Sequence, residues 1–169
     1  MGRASTKANK SRYQLAREEL GLTREKASDL LQTISPERID KIENDRAALH
    51  PDEALQMSKK YRKPSLCNYY CSHDCPIGQE YVPEVQVKEL SAIVLEMLAS
   101  LNAVQKKRDR LIEIAADGKI TNIEIDDFVR IQEELERISI TVETLQLWME
   151  KMQANGIVDP AKVRASKNK

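Results

Sequence analysis

From position 84 onward the apolar residues recur in steps of three and four. Val87, Leu90, Val94, Met97, Leu101, Val104, Leu111 and Ala115 form one stripe, with Arg108 in its single polar slot. Phe128, Ile131, Leu135, Ile138, Val142, Leu145, Met149 and Met152 form a second. Each rhythm is a heptad seam on a long helix. Gly118 suits the residue just past the first helix, and Thr121 with Glu124 gives a capping-box pattern for the second. So short a connection predicts an antiparallel two-helix hairpin over residues 84–154. Arg108 is expected to pair with an acid across it, such as Glu134. Ile93, Leu98, Ile112, Leu147 and Trp148 widen the stripes beyond what two helices can bury, so the hairpin is expected either to pack on the N-terminal domain or, the favoured reading, to form a homodimer. The connection at 117–124 resembles a calcium loop only faintly, because Ala115 and Ala116 stand where oxygen ligands would be needed.

Before position 62 the same period appears in short pieces. Tyr13 to Leu20 has helical spacing and stops at Gly21. Thr23 is a good N-cap for a helix from Arg24 to Leu31, with the small Ala27 and Ser28 permitting close helix contact. Gln32, Thr33 and Ile34 make a turn. Ser35-Pro36 is an N-cap followed by proline at the first helical position. The helix through Glu43 then has an apolar side (Ile39, Ile42) and a polar side. Pro51 opens a further helix, Asp52 to Tyr61. Two helices, a brief turn and a second helix with a polar N-terminal face are what reading a DNA major groove requires.

The run Leu20-Gly21-Leu22-Thr23-Arg24-Glu25, then Ala27-Ser28, then Ile39-Asp40-Lys41-Ile42-Glu43-Asn44-Asp45-Arg46, resembles the Cro/Xre-type helix-turn-helix of phage and bacterial repressors. The resemblance covers about residues 12–62. It implies an ion pair between Arg17 and Glu43, phosphate contacts at Asn44 and Arg46, and a DNA contact at Arg24. The turn is about one residue longer than the family's, and Gln32 stands where glycine is usual. On the recognition helix Ser35, Glu37, Arg38 and Lys41 are the further candidates. Arg38 can read guanine O6 and N7, Lys41 can touch phosphate, and a carboxylate such as Glu37 can accept from cytosine N4. Glu37 and Asp40 would repel phosphate.

Between these parts, residues 63–83 hold all three cysteines and three of the six prolines, and read as an irregular Cys-rich connector. Cys67, Cys71, His73 and Cys75 follow a C-x3-C-x-H-x-C spacing. Four soft ligands suit zinc, and three thiolates could hold an iron–sulfur cluster. Buried thiols, or one disulfide and one free thiol, are the alternatives.

Composition agrees with an all-α chain: among 169 residues only 4% are aromatic and five are glycine. The net charge of zero, from 27 basic and 27 acidic residues, taken as a total argues against nucleic acid. Resolved by position it does not. Residues 1–12 carry +4 (Arg3, Lys7, Lys10, Arg12) and residues 160–169 carry +4 (Lys162, Arg164, Lys167, Lys169), while 13–61 carry −2 and 84–159 carry −6. Basic arms commonly follow phosphate backbones. The expected organisation is a basic flexible arm (1–11), a DNA-binding domain (12–62), the connector (63–83), the dimerising hairpin (84–154) and a basic flexible tail (155–169).

These readings point to a sequence-specific, repressor-like regulator of transcription whose partners are double-stranded DNA and itself. The alternative is an accessory or antagonist protein that binds proteins through the acidic hairpin and keeps the helix-turn-helix as scaffold. No catalytic triad, paired-acid constellation or phosphate-cradling glycine loop suggests an enzyme. No apolar run reaches transmembrane length and no leader pattern opens the chain, so a soluble cytoplasmic protein with no membrane partner is expected.

Overall fold

The computed structural model describes residues 9–116 and 118–167. Helix makes up 72% of it and no strand occurs among the described residues, so the fold is all-α. Two compact units form: residues 1–84 with 149–169, and residues 85–148.

Local chemistry marks each start in the first unit. Helices α1 (Arg12–Glu19), α2 (Arg24–Leu31) and α3 (Pro36–Glu43) follow Ser11, Thr23 and Ser35, whose hydroxyls accept from the amides of Gln14, Lys26 and Arg38. Helix α4 (Pro51–Lys60) opens on proline, and the Glu53 carboxylate accepts from the His50 amide at 2.9 Å. Leu31, Ile39, Ile42, Met57 and Tyr61 form the core, with Ala27 fully buried where a larger residue would force α2 outward. The turn between α2 and α3 is held by Gln56, which donates to the Leu31 carbonyl and accepts from Thr33 at 2.5 Å. Gln32 sits there at φ +67°, a backbone that glycine adopts without strain.

Residues 63–83 are not irregular. Helix α5 (Ser65–Tyr69) runs into a π-helical turn (Tyr70–Asp74), and α6 (Pro76–Tyr81) follows. Two of the three prolines begin helices here rather than break them: Pro64 precedes α5 and Pro76 is the first residue of α6. The Cys75 amide donates to the Tyr70 carbonyl five residues back, at 3.0 Å. Gly78 lies so close to the Cys71 carbonyl that a Cβ would overlap it. Leu66 joins the core and Tyr69 and Tyr70 pack on it, so this segment extends the N-terminal bundle.

The tail expectation also changes. Helix α9 (Pro160–Lys167) forms where a flexible end was expected, opening on proline with Asp159 Oδ1 accepting from the Ala161 amide at 2.8 Å. At the other end Lys10 pairs with Glu18 at 2.6 Å and Arg12 begins α1. Arg3, Lys7 and Lys169 lie outside the described residues, as does Asp117 of the connection after α7.

The second unit contains α7 (Leu90–Ala115) and the main part of α8 (Ile125–Ala154). Gly118 takes φ +69°, and Glu124 reaches back to the Thr121 amide at 3.0 Å. The seams are rotated by one position from the expected ones. Met97, Val104, Leu111, Ile131, Ile138 and Leu145 keep their inward place, but the alternate positions are Ile93, Ser100, Lys107 and Ile114 on α7, and Glu134 and Thr141 on α8. Leu90, Val94, Leu101, Leu135 and Val142 are instead 39–47% exposed. Polar ties accompany this rotation. Lys107 Nζ lies 3.6 Å from Glu134 and 3.3 Å from the Arg130 carbonyl, and Arg110 Nε lies 2.8 Å from Asp127. Thr141 and Thr144 donate to the Ile138 and Ile140 carbonyls, so their hydroxyls can be buried. The partner of Glu134 is therefore Lys107, while Arg108 points outward and pairs with Asp109.

Candidate nucleic-acid interface

The α2–turn–α3 unit presents the N-terminal half of α3 at the surface. Ser35 caps it, Glu37 and Lys41 are exposed, and Arg38 is partly covered. Behind it lies a buried ion pair. Arg17 donates through Nε to Glu43 Oε1 at 2.5 Å and through Nη2 to Oε2 at 2.9 Å, with the two side chains 7% and 1% exposed. Arg17 also donates to the Leu22 carbonyl at 2.5 Å, fixing the loop that enters α2. Burial works against the Arg17 charge, but the bonds to Glu43 outweigh it and hold the guanidinium above its usual pKa.

Residues 14–65 match the helix-turn-helix family. This segment, about a third of the chain, is a Cro/Xre-type helix-turn-helix domain, and such a domain supports a DNA-binding regulator in general. No curated protein and no solved structure matches the chain. A regulatory DNA-binding domain argues against an enzyme.

In the helix-turn-helix domain the candidate DNA contacts are already engaged with acids. Asp40, in the middle of the recognition helix, is the hub. Its carboxylate accepts from Arg24 Nη1 at 2.7 Å, from Asn44 Nδ2 at 3.0 Å, and from Arg46. Arg24 reaches on to Glu43 Oε2 at 2.9 Å. Arg38 donates to both carboxylate oxygens of Glu53, at 2.8 and 2.7 Å, and to the Ala48 carbonyl. Of the four candidate cations, Lys41 alone makes no ion pair among the described residues. In the sequence Asp40 stands as a charge that repels phosphate, and no local signal marks Glu53. The i, i+4 spacing of Asp40 and Asn44 was visible, but pairing across helices needs the fold.

Cys67, Cys71 and Cys75 are free thiols at intermediate exposure. Burial, then the nearby Cys75 and Cys67, push the Cys71 thiol up. His73 is not turned toward them. It stacks on Tyr69 at 4.2 Å, and its Nε2 lies 3.5 Å from Glu84. Among the described residues no three His, Cys, Asp or Glu side chains converge where they could hold one metal ion. The π-helical turn explains this: it breaks the four-residue recurrence that would align ligands on a regular helix.

No helix among the described residues is long and apolar enough to cross a membrane.

Proposed function

We propose that this protein is a cytoplasmic, sequence-specific, repressor-like regulator that binds double-stranded DNA as a homodimer. The observation that carries the reading is the gathering of Arg24, Asn44 and Arg46 around one carboxylate on the recognition helix. That carboxylate stands in for a phosphate oxygen, so the three donors are held close to a phosphate-binding arrangement. Ser35, Glu37, Arg38 and Lys41 face outward from the first turns of the same helix and supply base and backbone contacts.

The dimer rests on the second unit. Its hairpin buries Ser100, Thr141 and Thr144 while leaving Leu90, Val94, Leu101, Leu135 and Val142 exposed at heptad spacing. A hairpin that fills its interior and still leaves a stripe of leucine and valine outside is suited to a second copy. Two-fold symmetry then offers two recognition helices to half-sites about 34 Å apart.

The two-pronged pairing of Arg38 with Glu53 favours a second reading, in which the helix-turn-helix is a scaffold and the acidic hairpin binds another protein. A selection on random duplex DNA, titrated with salt, separates the two. Enrichment of a pseudo-palindrome whose affinity falls steeply with salt supports the regulator. Absence of any enriched duplex, with a salt-insensitive protein partner, supports the scaffold.

A further inference from the structure

A cavity of about 340 Å3 opens beside α1, between the loop that follows α3 and the π-helical turn. That volume lies in the range of small-molecule sites. Helix α3 and the loop after it bring the apolar Ile42, Ala47 and Leu49 together with the exposed Asp45, and the π-helical turn brings His73 and Asp74. Asp74 spends Oδ2 on the Tyr13 hydroxyl, which donates to it at 2.6 Å, and so stays fixed beside the cavity. Asp45 makes no ion pair among the described residues. His73 also lines the cavity, with its Nε2 3.5 Å from Glu84, and Arg12 lies over the Tyr69 ring with Glu84 at 4.0 Å.

We propose that this cavity binds a small organic cation, with an ammonium head between Asp45 and Asp74 and an apolar body against Ile42, Ala47 and Leu49. Carboxylates are acceptor-only groups and an ammonium is donor-only, so the two match without a proton change. An anion of the same shape meets two like charges. A neutral molecule of that shape covers the carboxylates without replacing their lost water, which costs affinity. Asp45 through Leu49 also adjoin Asn44 and Arg46, so occupancy bears on the segment carrying two candidate phosphate contacts. That coupling rests on the DNA reading above; the site itself does not.

The test is calorimetric titration of the full chain, without DNA, with phenethylammonium, 2-phenylethanol and phenylacetate, which share one body and differ in charge. Saturable one-to-one binding of the amine, weaker binding of the alcohol and none of the acid is expected. Asp45→Asn keeps the shape, tolerates the left-handed backbone at φ +55°, and should weaken the amine by about tenfold. Equal binding of all three probes, no saturable binding of the amine, or an unchanged affinity in Asp45→Asn each overturns the site. Amide shifts confined to Ala47, Ala48 and Tyr69 on saturation support it, and shifts elsewhere alone overturn it.

Discussion

Arg38 and Glu53 form a two-pronged pair across the reading head: Nε and Nη2 of the arginine lie 2.8 and 2.7 Å from the two oxygens of the carboxylate. The same carboxylate accepts from the His50 amide, so the pair joins the recognition helix to the start of α4. Burial raises the Glu53 pKa, but the bonds from Arg38 and His50 outweigh it and leave the group below its ordinary range. Arg38 therefore has a structural partner as well as a place on the face proposed to meet DNA.

Replacing Arg38 should show both roles. Arg38→Ala is expected to lower folding stability by about 1 kcal/mol, with solvent screening limiting the loss, and to relax specificity at one base per half-site. Because the folded Glu53 pKa is depressed, its contribution is fully present above the unfolded value of about 4.3 and is lost as pH falls through the folded value. Urea melts between about pH 3 and 7 should show that acid-limb loss in the native chain and a smaller one in Arg38→Ala.

The Arg17–Glu43 pair is deeply buried, so breaking it leaves a charge with neither water nor its full set of partners. Arg17→Met should cost about 3 kcal/mol or more, while Arg17→Met with Glu43→Leu should recover part of that. Arg24, which also donates to Glu43, limits the recovery by losing its own acceptor. Equal losses in the single and double variants, measured by denaturant unfolding, would contradict a mutual pair.

Asp40 sets how available Arg24 and Arg46 are to DNA. Asp40→Asn removes one negative charge from the recognition helix and loosens two cations. DNA affinity should rise, and the dependence of log affinity on log salt should steepen by about one phosphate contact or more. Binding isotherms at four salt concentrations read both quantities. Weaker binding would instead assign Asp40 to base recognition through cytosine N4.

The exposed stripe of the hairpin predicts the oligomeric state. Val94→Glu with Leu135→Lys should leave helix content unchanged by circular dichroism and convert a dimer to a monomer in sedimentation equilibrium. Substituting the already buried Ile93 or Ile131 by Ala should destabilise the unit, by about 2–4 kcal/mol.

Gln32 pays a left-handed backbone cost in the turn. Gln32→Gly should stabilise the domain by about 0.5–1 kcal/mol, the relief of φ strain being partly offset by the greater freedom of glycine in the unfolded chain. A thermal melt of the pair of variants measures the difference.

The sequence by itself determined the short helices of the reading head, because their boundaries are written in neighbours: Thr23 before Arg24, Ser35-Pro36 before Glu37, Pro51 before Asp52. Caps act within four residues and need no tertiary partner. It also determined that two long amphipathic helices follow. Tertiary structure alone decided their rotation. Each stripe is wide enough to offer two seams one position apart; the observed one leaves Leu90, Val94 and Leu101 outside and brings Lys107 to Glu134 and Arg110 to Asp127. It likewise decided that prolines near the cysteines start helices, that a π-helical turn carries His73 away from the thiols to Tyr69, and that Asp40 and Glu53 hold the arginines of the interface. These outcomes depend on groups far apart in the chain meeting at a few ångströms. Hydrophobic period and capping chemistry are local and do not encode such distances.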